Sequence, residues 1–425
     1  MVEIISSAMF ILLLCLLFKV PVFISLSTGT ALYFMMSPSV GGDMFVQRYV
    51  SGIESIPLLA IPFFVGAGVF MNSTGVTKRI MDFCFVLTGR MWGGLAQVNI
   101  LLSTLMGGLS GSNLADAAMQ SKMLVPEMEK AGMSKPFSSA VTAFSSLITP
   151  MIPPGIAMIL YGSMANVSVG KLFMTGFGLG ILMCVAMMIF TSLYSRKLGY
   201  KPVRTEKISK SELWQATKHA ILPLCLPIII IGGIRLSIFT PTEAGAVAII
   251  YTLALGLLYK EVTVKSFLKG IEETITTTSA IMLIVGAASV LGWVLTKERI
   301  PQDLTAWLVE VAGNKYIFIL IVNVFLLLVG MFVEGNAATI VLVPLLVPAA
   351  RAFGIDDIQF AFIFMFNMAL GTLTPPLGTV MFVTCGTTGC KIKDFLKASV
   401  PYFLLFGALL LLISYVPAIT AIFGG

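Results

Sequence analysis

The chain has 425 residues, of which 57% are hydrophobic and only 11% charged, and its mean hydropathy is +0.98. That composition excludes an ordinary soluble domain and describes a polytopic membrane protein. The net charge of +7 belongs to basic loops and not to a nucleic-acid surface, because basic and aromatic residues are nowhere interleaved.

In chain order, apolar stretches fall near residues 4–18, 23–36, 56–69, 172–193, 221–231, 244–258, 281–294, 317–333, 360–370 and 402–419. Several are shorter than the ~20 residues of a full helical span, so hairpins and half-helices are expected among complete spans, with roughly ten to twelve crossings in all. No Lys or Arg precedes the first apolar run and no small-residue cleavage pattern follows it, so residues 1–55 are expected to hold retained N-terminal helices and not a signal peptide. Arg196, Lys197, Lys201, Arg204, Lys207, Lys210 and Lys218 crowd one loop against Glu206 and Glu212, which makes that loop cytoplasmic by the positive-inside rule. The six cysteines show no CxxC pairing and read as small core residues. The single histidine, His219, lies beside the basic loop, so zinc chemistry is not expected.

An internal repeat organises the rest. At an offset of 222, identities fall at Gly108/Gly330, Ala115/Ala337, Leu124/Leu346, Val125/Val347, Pro126/Pro348, Gly132/Gly354, Phe144/Phe366, Pro153/Pro375 and Pro154/Pro376. Val65-Gly-Ala67 matches Val285-Gly-Ala287 at an offset of 220. The expected repeats are 56–196 and 278–425, joined by 197–277, which holds the basic loop, two spans and an amphipathic arm over 260–276. Each half runs from an apolar limb through a polar tip to a returning limb, then to a helix interrupted by Thr and Pro. That order describes a re-entrant hairpin (about 92–131 and 316–353) followed by a broken helix (about 137–164 and 357–388). Inversion of the halves is taken by analogy alone.

Irregular backbone at membrane depth survives only when buried in protein or lining a wet cavity, so each break offers backbone groups to a ligand. Carbonyls at a limb's C-terminal end suit Na⁺, and amides at the next N-terminal end suit a carboxylate. Ser110, Ser112, Asn113, Ser145, Ser146 and Thr149 add neutral oxygens in the first half, as do Asn336, Thr372 and Thr374 in the second. Pro150, Pro153, Pro154, Pro375 and Pro376 remove amide donors and disfavour helix before them. Small residues at one such segment could equally serve close helix packing, but four segments placed symmetrically favour a site. Carboxylates deep in a bilayer are candidates by default, which singles out Asp116 and Glu334. Asp116 also stands three residues after Asn113, a capping spacing, so for it function and capping both stay open. Glu243, in Pro241-Thr-Glu-Ala-Gly245, could likewise cap a helix or act. Trp92, Trp293 and Trp307 read as interfacial anchors or core residues.

Four motifs, Gly108-Leu-Ser-Gly-Ser-Asn-Leu-Ala-Asp116, Thr149-Pro-Met-Ile-Pro-Pro-Gly155, Pro241-Thr-Glu-Ala-Gly245 and Gly371-Thr-Leu-Thr-Pro-Pro-Leu-Gly378, resemble the large (M) subunit of TRAP transporters. The resemblance covers essentially the whole chain. It implies a secondary transporter of the bacterial inner membrane that works with a small membrane (Q) subunit and a periplasmic substrate-binding (P) protein, driven by Na⁺ and not by ATP. It further implies an all-α elevator architecture, a scaffold that includes residues 1–55 and a transport domain made of the hairpins and broken helices. Carried over by position, one Na⁺ site draws on Ser103, Ser110, Ser112, Asn113, Ser145, Ser146 and Thr149, and a second on Gly335, Asn336, Gly371, Thr372 and Thr374. Substrate is expected between the tips, near Asp116, Asn113, Glu334, Asn336, Pro154 and Pro376. The second tip reads Val333-Glu-Gly-Asn336 where the first reads Gly111-Ser-Asn113, so the two sites are not chemical copies. The cargo implied is a carboxylate, with sialic acid favoured over a C4-dicarboxylate.

Other readings are weaker. Gly108-Leu-Ser-Gly111 is also the GxSG pattern of intramembrane serine proteases, but His219 is the only histidine and leaves Ser110 without a base. No GxxxxGK[ST] phosphate loop is present, so ATP is not the energy source within this chain. Polar breaks can also build a channel filter, and a channel or a carrier that needs no binding protein is the alternative.

Overall fold

The computed structural model describes residues 2–18, 20–37, 40–204 and 208–424. Glu206 and Lys207 of the basic loop lie outside the described residues. The described residues form helices and connecting loops with no strand. Five helices come first: α1 (Val2–Leu17), α2 (Val22–Met36), α3 (Asp43–Ile53), α4 (Ala60–Ser73) and α5 (Val76–Thr88). The first interrupted region holds α6 (Gly94–Ser110), α7 (Asn113–Met123), α8 (Val125–Lys130), α9 (Lys135–Ser145) and α10 (Ile156–Ala165). The long α11 (Val169–Leu198), α12 (Lys210–Arg235), α13 (Pro241–Leu258) and α14 (Val264–Lys297) follow, then α15 (Ile300–Ala312). The second interrupted region comprises α16 (Lys315–Gly330), α17 (Gly335–Ala352), α18 (Asp357–Gly371) and α19 (Thr379–Thr388), before α20 (Ile392–Tyr415) and α21 (Pro417–Gly424).

Among the described residues, six helices are long and apolar enough to cross a membrane alone, or nine if each bent pair is one span. That is fewer than the ten to twelve crossings anticipated. The shortfall lies in short apolar helices such as Gly94–Gly107, Asp357–Gly371 and Thr379–Thr388, which at about 1.5 Å per residue do not reach across a bilayer alone. The expected join near 277 falls inside one helix: α14 runs unbroken for 34 residues from the arm into the second half. It contains no proline, and two of its three glycines are packing positions, since a Cβ on Gly270 would stand 2.6 Å from the Phe70 ring and one on Gly286 would stand 2.5 Å from the Tyr49 ring.

Helix starts follow capping chemistry. Thr240 and Glu243 form a capping box, with the Glu243 carboxylate accepting from the Thr240 amide at 2.8 Å and from its hydroxyl at 2.9 Å. This settles Glu243 as a cap of α13. Cys84, Cys184, Cys385 and Cys390 are buried, Cys15 and Cys225 partly so, and all six are free thiols.

Two anchor points fix the hairpins. The feet of the first are tied beside the basic loop, where the Gly93 amide donates to the Tyr200 carbonyl at 3.2 Å and the Ser134 amide to the Tyr200 hydroxyl at 3.1 Å. The feet of the second lie elsewhere: Arg351 donates to the Ala165 carbonyl at 2.9 Å, and the Tyr415 hydroxyl donates to the Tyr316 carbonyl at 3.2 Å. Tyr200 follows the C-terminus of α11 and Ala165 precedes its N-terminus. The returning limbs pack crosswise, α7 against α19 and α17 against α10.

Candidate functional site

The first tip is a sharp reversal. α6 ends at Gly111, whose φ of +59° is left-handed and favours glycine, with its amide donating to the Gly107 carbonyl at 3.2 Å. Ser112 is extended and caps α7, its hydroxyl accepting from the Ala115 amide at 3.3 Å. A Cβ on Gly111 would stand 3.3 Å from the Pro154 carbonyl oxygen, so tip and break touch. Opposite, α9 gives way to a 3₁₀ turn over Thr149–Met151, and the two arms of this broken helix meet at 44°. Proline nitrogens cannot continue the helical ladder here.

With Ser112 as the cap, Asp116 is turned into the protein and caps nothing. It is buried at 1% exposure. Its Oδ2 accepts from Ser103 at 2.8 Å and Thr149 at 3.1 Å, and its Oδ1 from Gln120 at 2.8 Å. Ser103 also meets Ser145 at 2.9 Å and accepts from Gln120 at 2.7 Å, while Ser145 donates to Asn99 Oδ1 at 2.8 Å. Asn99 donates in turn to Thr142 at 2.6 Å. A carboxylate is tolerable so far from water only with donors on both oxygens. One acceptor, Gln120 Oε1, is buried without a partner among the described residues. Asp116 also borders a cavity of about 340 Å³ with Asn72, Thr77 and Met119.

Of the other first-half residues, Ser146 turns to its own helix and donates to the Ala143 carbonyl at 2.8 Å. Asn113 crosses between halves, donating to the Thr372 hydroxyl at 3.2 Å. Pro154 is buried at the break. The side chain of Ser110 lies outside the described residues.

The second half is built differently. Glu334 is an exposed N-cap of α17, its carboxylate accepting from the Ala337 amide at 3.2 Å. Gly335 and Asn336 form the first turn of that helix. Gly371 packs backbone to backbone on the tip limb, since a Cβ there would stand 2.6 Å from the Gly330 Cα. Thr372 donates to the Ala369 carbonyl at 2.6 Å and Thr374 to the Leu370 carbonyl at 3.0 Å, while Pro376 is exposed. Deeper in, Asn367 donates to Asn323 at 2.6 Å and Asn323 to Ser414 at 3.1 Å. This tie between hairpin limb and broken helix matches Asn99 with Ser145 in the first half.

Asn99, Gln120, Asn323 and Asn367 escaped the sequence reading. Two signals pointed to them: Gln120 lies four residues beyond Asp116 on the same helix face, and Asn367 stands at the repeat offset of 222 from Ser145.

The family profile described as "Tripartite ATP-independent periplasmic transporter, DctM component" matches residues 9–419. The sialic acid TRAP transporter large permease protein SiaM of Vibrio cholerae is 36% identical over 94% of this chain and 93% of its own length. The 2,3-diketo-L-gulonate TRAP transporter large permease protein YiaN of Escherichia coli is 35% identical over 92% and 91%. The C4-dicarboxylate TRAP transporter large permease protein DctM of Pseudomonas aeruginosa is 33% identical over 92% of each. Among solved structures, the YdaH transporter of Alcanivorax borkumensis superposes with a TM-score of 0.59 at 15% identity, over 92% of this chain and 96% of that one, a likeness of fold. The interrupted helices are thus those of a membrane transporter. The chain belongs to the DctM-component family of TRAP transporters: it is a large permease subunit of the bacterial inner membrane and not an enzyme.

Proposed function

We propose that this subunit carries an organic carboxylate inward, coupled to Na⁺, after delivery by a periplasmic binding protein and together with a small membrane subunit. The observation that carries the reading is the closed oxygen cluster around Asp116, where hairpin tip and broken helix meet. Hard oxygens suit an alkali cation, and Asp116 supplies negative charge to one. A carboxylate is a poor direct neighbour for an anionic cargo, so Asp116 belongs with Ser103, Ser145 and Thr149 in a cation-binding set. Ser110, Ser112, Asn113 and Ser146 sit close by in sequence, and Gly335, Asn336, Gly371, Thr372 and Thr374 make the second set. Bound Na⁺ supplies the positive charge that an anion at the tips requires. The half-buried Asn113 and Asn336, the buried Pro154 and the exposed Pro376 frame the place for the cargo, with Glu334 held at its edge as the cap of α17. Coupling then follows from differential affinity: each ligand favours the arrangement the other needs.

Inverted repeats and an elevator motion fit the opposite anchoring of the hairpins at Tyr200 and Ala165. The relatives named above act on sialic acid, 2,3-diketo-L-gulonate and C4-dicarboxylates, and the similarity to SiaM favours a sialic-acid cargo. The test is uptake of radiolabelled N-acetylneuraminate and succinate into proteoliposomes holding this chain and its small subunit, with and without an inward Na⁺ gradient and the binding protein. Uptake that requires both supports the reading; uptake indifferent to the gradient overturns it.

A further inference from the structure

A cavity of about 1150 Å³ opens at the end of the protein opposite the basic loop. It is bounded by the start of α11, the end of α12, the start of α13 and the tip of α21. It is roomier than a small-ligand pocket needs, typically 300–1,000 Å³. Two cations line it, Lys171 from the first turn of α11 and Arg235 from the last residue of α12. Both are exposed, and neither has an acidic partner among the described residues. The one carboxylate in the lining, Glu243, is held by the Thr240 amide and hydroxyl. Lysine and arginine left unpaired on separate helices around one cavity focus a positive potential into it.

We propose that this cavity is a staging site for a soluble organic carboxylate, held between Lys171 and Arg235 on the periplasmic side before it reaches the hairpin tips. The assignment rests on the transport reading and adds a second anion site to it, remote from Asp116. Lys171 and Arg235 come from different elements, so the anion bridges α11 and the α12–α13 turn while it resides there.

The test uses the full chain with its small subunit in detergent, carrying Ile238→Cys in a Cys15→Ser, Cys225→Ser background. Ile238 lines the cavity and is 62% exposed. Labelling rates are compared for an anionic and a cationic methanethiosulfonate reagent. Two cations lining the same cavity favour the anionic reagent, by about tenfold in the ratio of rates for charges separated by roughly 10 Å. Lys171→Gln with Arg235→Gln should bring that ratio close to one, each single change should give an intermediate value, and Lys171→Arg should preserve it. Succinate and N-acetylneuraminate should slow labelling, and neutral N-acetylmannosamine should not. A parent ratio near one, or a ratio unmoved in the double variant, overturns the proposal. Protection by the acidic face of a binding protein but by neither free carboxylate also overturns it, in favour of a protein-docking surface. Charge-selective labelling with carboxylate protection, found alongside Na⁺-independent uptake, leaves the staging site standing and removes the coupling reading alone.

Discussion

In the first half the break is sealed: Thr149, Pro153 and Pro154 are buried, and the hydroxyls around them point at Asp116. In the second, Pro375, Pro376 and Leu377 are exposed, and the hydroxyls of Thr372 and Thr374 fold back on carbonyls of α18. Near-identical punctuation therefore serves two environments. Where a carboxylate is enclosed, side-chain oxygens are drawn to it. Where none is, the same residue types satisfy the frayed helix end, as short polar side chains do. On the proposed function, the difference makes the first half the pre-assembled site and the second the one that a ligand would have to organise.

Substitutions at Asp116 should have the largest effect. Asp116→Ala strands the donors of Ser103, Gln120 and Thr149 and should destabilise the protein by about 3 kcal/mol or more, seen as a lower melting temperature. Asp116→Asn keeps the shape; folded protein with Na⁺-driven uptake abolished would sharpen the contrast between the halves, and normal uptake would remove Asp116 from the cation set. Gly371→Ala forces a methyl against the Gly330 backbone and should cost about 1–3 kcal/mol, with uptake falling alongside stability. Ser103→Ala deletes the hub of the first cluster and should cost about 1–3 kcal/mol. Thr372→Val loses only a bond to its own helix and one to Asn113, about 1 kcal/mol; it should raise the Na⁺ concentration for half-maximal uptake while leaving the melting temperature nearly unchanged. If Thr372→Val were as damaging as Ser103→Ala in a thermal melt, the claim that the halves differ in pre-assembly would fail. Glu334→Gln should be the mildest, because an amide oxygen still accepts from the Ala337 amide and caps α17.

Much of this was readable from the chain. Gly111, Pro153, Pro154, Pro375 and Pro376 announce the interruptions because each alters backbone options in a way that does not depend on neighbours. The polar cluster was only partly readable, since whether Asn99 or Gln120 meets Ser103 depends on how limbs distant in sequence are placed side by side. Asp116 could not be told from a helix cap until Ser112 was seen to occupy that role. Exposure at Pro376 and Glu334 was illegible for the same reason: what covers a residue is set by other helices, not by its own segment. The continuity of α14 was not legible because the repeat offset marks where similarity begins, not where a helix does; Gly270 and Gly286 serve there as seats for Phe70 and Tyr49.

One residue has mechanical weight beyond its size. Tyr200 receives the Gly93 amide on its carbonyl and the Ser134 amide on its hydroxyl, so both ends of the first hairpin hang from a single peg at the foot of α11. A loop moored at one point can tilt, but it cannot slide along the membrane normal unless its mooring slides too. If the proposed elevator motion keeps these two bonds, the 30-residue α11 travels with the Asp116 tip as a piston rod, and Tyr200 is the place to attach a probe that would report the stroke.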